Sequence, residues 1–137
     1  MTVKDLMQRE VLTATEDDTV EELLEVFVHK HIHGAPVLDG SGSLVGMVTL
    51  QDMFFGTMTR SGESGPHAAA KANHMRVRDI MTSPAVSAPE ETEIRRLCQI
   101  MYKLRIHRVP IVKNDKLTGI ISSIDICGAI ARGARVD

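Results

Sequence analysis

The sequence predicts an α+β fold built from two copies of one small unit packed sheet to sheet. Three observations predict it. Val3–Met7 (VKDLM) returns as Val77–Met81 (VRDIM), a shift of 74 residues (77 − 3). Each copy carries an amphipathic helical stripe, and each carries two short strand patterns joined by a turn.

The repeat is ordered along its whole length. The same shift sets Ala14 on Ala88, Glu16 on Glu90, Leu23 on Leu97, Ile32-His33 on Ile106-His107 and Pro36 on Pro110. One residue is then lost in a turn, and Leu44, Gly46 and Asp52 fall on Leu117, Gly119 and Asp125. Val20, Leu23, Leu24, Phe27 and Val28 occupy i, i+3, i+4, i+7 and i+8, one apolar stripe of a helix. Ile94, Leu97, Cys98, Met101 and Tyr102 repeat it, which points Cys98 into a core. Ala35–Leu38 and Leu44–Thr49 read as strands around the turn-rich 39–43, and Val109–Val112 and Leu117–Ser122 as strands around Asn114-Asp115. A helix follows each pair, near 50–58 and 123–132. The boundaries expected are a first repeat over 1–58, a polar, flexible linker over 59–75 and a second repeat over 76–137. One copy is too small to bury its sheet and both helices alone, so two copies packed about a pseudo-two-fold axis are required.

Composition narrows the function. At 137 residues, 43% hydrophobic and 25% charged, the chain is an ordinary globular protein. Its 3% aromatic content gives few stacking platforms for single-stranded nucleic acid, and a net charge of −2 gives no global pull toward polyanions. Nucleic acid is therefore a disfavoured partner. The start MTVKDLMQRE carries acids and lacks an apolar stretch, so no signal peptide is expected there, and no apolar run is long enough for a helical membrane span. Two cysteines, Cys98 and Cys127, suit a reducing, cytoplasmic setting. The charge is split: residues 1–58 carry three basic and ten acidic side chains, and residues 59–137 the other thirteen and eight.

The pattern V-x-D-h-M, an amphipathic helix, h-x-x-P-h-h and G-h-h-[ST]-x-x-D, found twice, resembles the CBS domain. The resemblance implies β-α-β-β-α repeats and a disc-shaped pair with two clefts that hold an adenosine-type regulatory ligand: AMP, ADP, ATP or S-adenosylmethionine. It implies no cofactor and no enzyme activity. It further implies a stand-alone sensor read by a separate effector protein, with no membrane partner. The alternative is a ligand-free scaffold for protein interaction or dimerisation.

Thr49-x-x-Asp52 and Ser122-x-x-Asp125 are each a helix-start signal, a hydroxyl cap with an acid three residues on. The same geometry can bind a ligand, because a helix N-terminus attracts phosphate and an ionised Asp can accept both hydroxyls of a diol. The resemblance assigns ribose to Asp52 and Asp125, and phosphate to Thr49 and Ser122. Ile106-His107-Arg108-Val109-Pro110 is similar to the phosphate-gripping I-H-R-h-P segment in the gamma subunit of AMP-activated kinase. Arg brings a cationic fork and His a switchable donor. The first copy reads Ile32-His33-Gly34-Ala35-Pro36, so the two sites should be unequal. The base is expected against Val11–Thr13 and Ala35–Val37, or Ala85–Ser87 and Val109–Ile111, which adds Thr13, Pro36, Ser87, Val109 and Pro110 to the candidate ligand-binding set.

His29 and His33 would share a helix face at i, i+4, but nothing nearby completes a metal site, and none is expected. No nucleophile–base motif occurs. CBS pairs commonly dimerise through their helices. An acidic helix over 19–31 meeting a basic helix over 94–105 of a second copy would give a head-to-tail homodimer.

Overall fold

The computed structural model describes residues 1–61 and 75–136, with side chains omitted for 57–61. Much of the expected linker 59–75 therefore lies outside the described residues. The elements run α1 (Val3–Leu6), β1 (Ala14–Thr15), α2 (Val20–Lys30), β2 (Gly34–Leu38), β3 (Leu44–Thr49) and α3 (Leu50–Ser61). They continue α4 (Val77–Ile80), β4 (Ala88–Pro89), α5 (Ile94–Leu104), β5 (Arg108–Lys113), β6 (Lys116–Ser122) and α6 (Ser123–Ala131). Two three-stranded sheets result, β1-β2-β3 and β4-β5-β6, each with one parallel and one antiparallel pairing.

The compact units do not coincide with the sequence repeats. One unit joins Met1–Val11 to Val86–Asp137, and the other is Leu12–Ala85. The reason is that the arm at the start of each repeat docks on the body of the other. In the first unit Val3 N–H donates to Thr92 O (2.8 Å) and Lys4 N–H to Glu90 O (3.1 Å). In the second, Val77 N–H donates to Asp18 O (2.9 Å) and Arg78 N–H to Glu16 O (3.1 Å). The Asp of V-x-D-h-M starts each short helix: Asp5 accepts the Thr2 N–H (2.8 Å) and Asp79 the Arg76 N–H (2.9 Å). Arg78 also pairs with Asp17, and Arg76 donates to the Asp17 carbonyl (2.9 Å).

Beyond its helix each arm touches a strand. Gln8 and Ile120 exchange backbone hydrogen bonds of 2.8 and 2.9 Å, and Thr82 and Met47 exchange bonds of 2.9 and 3.0 Å. These approaches require glycine. A Cβ on Gly119 would lie 2.6 Å from Met7 Sδ and 2.9 Å from the Gln8 carbonyl; one on Gly46 would lie 2.8 Å from the Thr82 carbonyl. The glycine of each G-h-h-[ST] motif is thus where an arm lies down.

Each unit has its own core. Val3 and Met7 of the arm pack with Ala88, Ile94, Leu97, Met101, Val109, Ile111, Ile121 and Ile126. Val77 packs with Ala14, Val20, Leu23, Phe27, Ala35, Val37, Val48 and Met53. The helical stripes are only partly buried, though Cys98 does pack against the core as its spacing predicts. Val20, Leu23 and Phe27 are buried on α2, and Ile94, Leu97 and Met101 on α5. Leu24 and Val28 are exposed, Cys98 is half-buried, and Tyr102 keeps 72% of its surface. A five-position stripe is wider than the strip a small sheet can cover, so its i+4 and i+8 edge faces outward.

Both helices end in a left-handed residue, His31 at φ 54° and Arg105 at φ 57°. Arg105 then lies over the Tyr102 ring, 4.7 Å from its centroid. Because α2 stops at Lys30, His29 and His33 do not share a helix face. Among the described residues no group of three or more His, Cys, Asp or Glu could hold a metal ion. No helix there is long and apolar enough to cross a membrane.

Candidate functional site

Ser122 closes β6 and caps α6. Its Oγ accepts the Asp125 N–H (3.1 Å), and Asp125 Oδ2 accepts the Ser122 N–H (2.9 Å). The Ser123 N–H is taken by the His107 carbonyl at 2.8 Å. Among the described residues, the Ile124 N–H of this first turn has no acceptor and lies at the positive end of the helix. The Ser122 hydroxyl, used so far only as an acceptor, still has its proton to donate.

Arg108 stands across the strands from Ser122, its direct partner in the β5–β6 register. Directly opposed residues of an antiparallel pair point to the same face. The guanidinium is half-buried, and among the described residues it has no ion-pair partner. Burial pushes its pKa below the ordinary arginine value. Arg108 thus puts a partly desolvated cation on the face of the sheet that carries the Ser122 cap. His107, one residue earlier, is exposed.

A residue that the sequence reading missed completes the cluster. Gln8 Nε2 donates to Asp125 Oδ1 at 2.9 Å, across 117 residues of chain. The one available clue was its place immediately after the shared VKDLM motif, where the other copy has Thr82.

The second unit repeats the scaffold with different side chains. Thr49 Oγ1 accepts the Asp52 N–H (3.1 Å), Asp52 Oδ2 accepts the Thr49 N–H (2.9 Å), and the His33 carbonyl takes the Leu50 N–H (3.0 Å). The residue opposite Thr49 is Gly34, so no cation stands there. His33 is exposed. Thr13 and Ser87 are exposed in the segments leading into β1 and β4. Pro36, Val109 and Pro110 are fully buried, so their side chains face packed protein. Thr13, His33, Pro36, Thr49 and Asp52 fall in one unit, and Ser87, His107, Arg108, Val109, Pro110, Ser122 and Asp125 in the other.

The CBS domain family matches residues 3–55 and 77–132, most of the chain. The chain belongs to the CBS domain family. Inosine-5'-monophosphate dehydrogenase of Methanocaldococcus jannaschii is 34% identical over 119 residues, 86% of this chain but 21% of the dehydrogenase. This chain therefore spans about a fifth of that relative's length. The CBS domain pair of protein MJ0100, solved with 5'-methylthioadenosine and S-adenosyl-L-methionine, superposes with a TM-score of 0.75 at 26% identity, covering 95% of this chain and 99% of that one. CBSX2 in complex with AMP superposes at 0.81 and 24% identity over 98% of each chain, a likeness of fold alone. The α+β, two-repeat architecture expected from the sequence is thus that of a CBS domain pair.

Proposed function

We propose that this chain is a regulatory module that binds an adenosine-type ligand, with AMP, ADP, ATP and S-adenosylmethionine as the candidates, and catalyses nothing itself. The observation that carries the reading is the half-buried, unpaired Arg108 in register with the Ser122 cap. Arg108, the Ser122 hydroxyl and the Ile124 N–H would meet a phosphate, with His107 as a further donor. Asp125 would accept the ribose hydroxyls. The adenosyl ligands named for MJ0100 support this class. Thr49 and Asp52 form the corresponding ribose-facing set, and the Gly34 opposite them makes that site the weaker phosphate binder. In one unit Thr13 and the backbone of Pro36, and in the other Ser87 and the backbone of Val109 and Pro110, would wall the base. The protein is placed in the cytoplasm, where such ligands are, and a separate effector protein would read the ligated state.

Calorimetry with the four candidates tests this, using wild type and Asp125→Asn, in which an amide oxygen still caps the helix. We expect binding well below millimolar for at least one ligand and a loss of about tenfold or more in the variant, the scale of a hydrogen bond to a charged group. No binding of any ligand below millimolar would reject the sensor in favour of the ligand-free scaffold.

A homodimer is the second part of the proposal. The exposed Leu24 and Val28 on α2, and Tyr102 and Leu104 on α5, offer apolar surface for a second copy. Exposed Glu22 and Glu25 lie on the first helix, and exposed Arg95, Arg96 and Lys103 on the other. That complementarity favours α2 of one copy meeting α5 of the next, head to tail, although each exposed pair contributes only about 0.2–1 kcal/mol. Cross-links joining α2 to α2 and α5 to α5 would refute the orientation.

A further inference from the structure

Gln8 is tied down at three points. Its N–H donates to the Ile120 carbonyl (2.8 Å), its carbonyl accepts the Ile120 N–H (2.9 Å), and its side-chain amide donates to Asp125 Oδ1 (2.9 Å). The paired backbone bonds fix the Cα, so the carboxamide is delivered to the carboxylate by the arm. Asp125 then has one oxygen engaged by Ser122 N–H and the other by Gln8. A carboxylate oxygen can accept two hydrogen bonds, so each keeps one acceptor position. Two positions at fixed spacing match a vicinal diol, in which each hydroxyl donates to one oxygen.

The other unit lacks this device. Thr82 makes the same backbone bridge to β3 that Gln8 makes to β6, but its short side chain makes no bond to Asp52 among the described residues. Asp52 is held by the Thr49 N–H through one oxygen. Its carboxylate keeps more rotational freedom and three acceptor positions.

We infer that Gln8 is a positioning residue that makes the Asp125 site select an intact ribose diol over a deoxyribose. The inference rests on the proposed binding of an adenosine-type ligand at Asp125. A carboxylate locked at both oxygens discriminates because a missing hydroxyl leaves an acceptor position unfilled and unable to turn toward another donor. Without Gln8 the carboxylate rotates, both ligands find a compromise geometry, and the discrimination falls.

The test uses the full chain in an Asp52→Ala background, so that the Asp125 site alone reports. AMP and 3'-deoxy-AMP are titrated calorimetrically into this protein and into its Gln8→Ala and Gln8→Met forms. The methionine keeps length and apolar bulk on the arm. We expect AMP to be preferred by about tenfold or more when Gln8 is present, and the preference to shrink about fivefold or more in both variants. A purely structural contribution from Gln8 would weaken both ligands alike and leave the ratio intact. An unchanged ratio, or tighter AMP binding in Gln8→Ala through relief of competition for Asp125, overturns the inference while leaving the binding site standing. No binding of either ligand by the Asp52→Ala protein overturns this inference, while the site itself stands or falls with the four-ligand calorimetry above. A Gln8→Glu form gives a second readout. Two carboxylates then face each other, so AMP binding should weaken at pH 7 and recover as one of them is protonated on lowering the pH. The wild-type amide has no such dependence, and its absence in the Glu form would also count against the contact.

Discussion

Gly119→Ala isolates the arm contact that shapes the Asp125 unit. The new Cβ would sit 2.9 Å from the Gln8 carbonyl oxygen, 2.9 Å from Met7 Cγ and 2.6 Å from Met7 Sδ. An unstrained carbon–oxygen contact is about 3.3–3.6 Å, so the carbonyl must retreat by about half an ångström. That oxygen already accepts the Ile120 N–H at 2.9 Å, so the retreat stretches a backbone bridge. Met7 is 8% exposed, packed in the core, and has little room to swing away. Overpacking and the weakened bridge together should cost about 2–4 kcal/mol. Urea unfolding, read as a change in midpoint at constant slope, gives the value directly. Gly40→Ala is the control, because its Cβ meets nothing within 4 Å. Hydrogen exchange should also show faster exchange at the Gln8 and Ile120 amides. A loss below about 0.5 kcal/mol with both amides still protected would mean that the arm is not held where we place it.

Ser122→Ala removes the cap acceptor for the Asp125 N–H and should cost about 1 kcal/mol in the same unfolding experiment; a neutral result would show that the cap adds nothing. Gly128→Ala should stabilise by about 0.5–1 kcal/mol, because its Cβ meets the movable end of the exposed Arg132 side chain (3.3 Å) inside α6. A destabilised variant would mean that Arg132 is fixed in place. Arg108→Met should cut the preference for AMP over adenosine by about tenfold in calorimetry; an unchanged preference would relocate the anion site. Burial, and then the neighbouring Cys127, push the Cys98 thiol pKa up, so at pH 8 iodoacetamide should label Cys127 before Cys98 in mass spectrometry. The raised value also means that the folded state holds this proton more tightly than the unfolded state. Any stability contribution from Cys98 is therefore present below the unfolded thiol pKa and lost as pH rises through the folded one.

The helices and strands were legible because their signals are local. Val20, Leu23 and Phe27 declare a helix face by spacing, and Thr49-x-x-Asp52 and Ser122-x-x-Asp125 declare two helix starts. The outward edge of the stripe was not legible, since Leu24 and Val28 are as apolar as their buried neighbours. The arms were illegible for a different reason. VKDLM and VRDIM are near-copies, and a near-copy carries no information about which body it docks on. The bond from Gln8 to Asp125 spans 117 residues, beyond any periodicity argument. The position of Arg108 lay in between: its motif was readable, but its alignment with Ser122 is set by hairpin register.

What the two units share and where they differ follow different physical demands. The matching positions are those the backbone requires. Gly46 and Gly119 admit an arm, and Asp52 and Asp125 complete a capping box, so these positions have a structural role whether or not a ligand is bound. The differing positions surround those carboxylates, and there the two units keep the backbone arrangement while changing the side chain. Gly34 corresponds to Arg108, Thr82 to Gln8, and Thr49 to Ser122. Gly34 and Arg108 hold the same place in the register of their hairpins, opposite Thr49 and Ser122. The scaffold therefore fixes where a carboxylate, a hydroxyl and a helix N-terminus meet, and it does so twice. On the proposed reading, recognition would be decided by the side chains brought beside them, and among the described residues only the Asp125 unit has both a cation opposite the cap and an amide on the carboxylate. On that ground the Asp125 unit should be filled first by a phosphorylated ligand, and the Asp52 unit should be the one that discriminates least between ligands with and without phosphate.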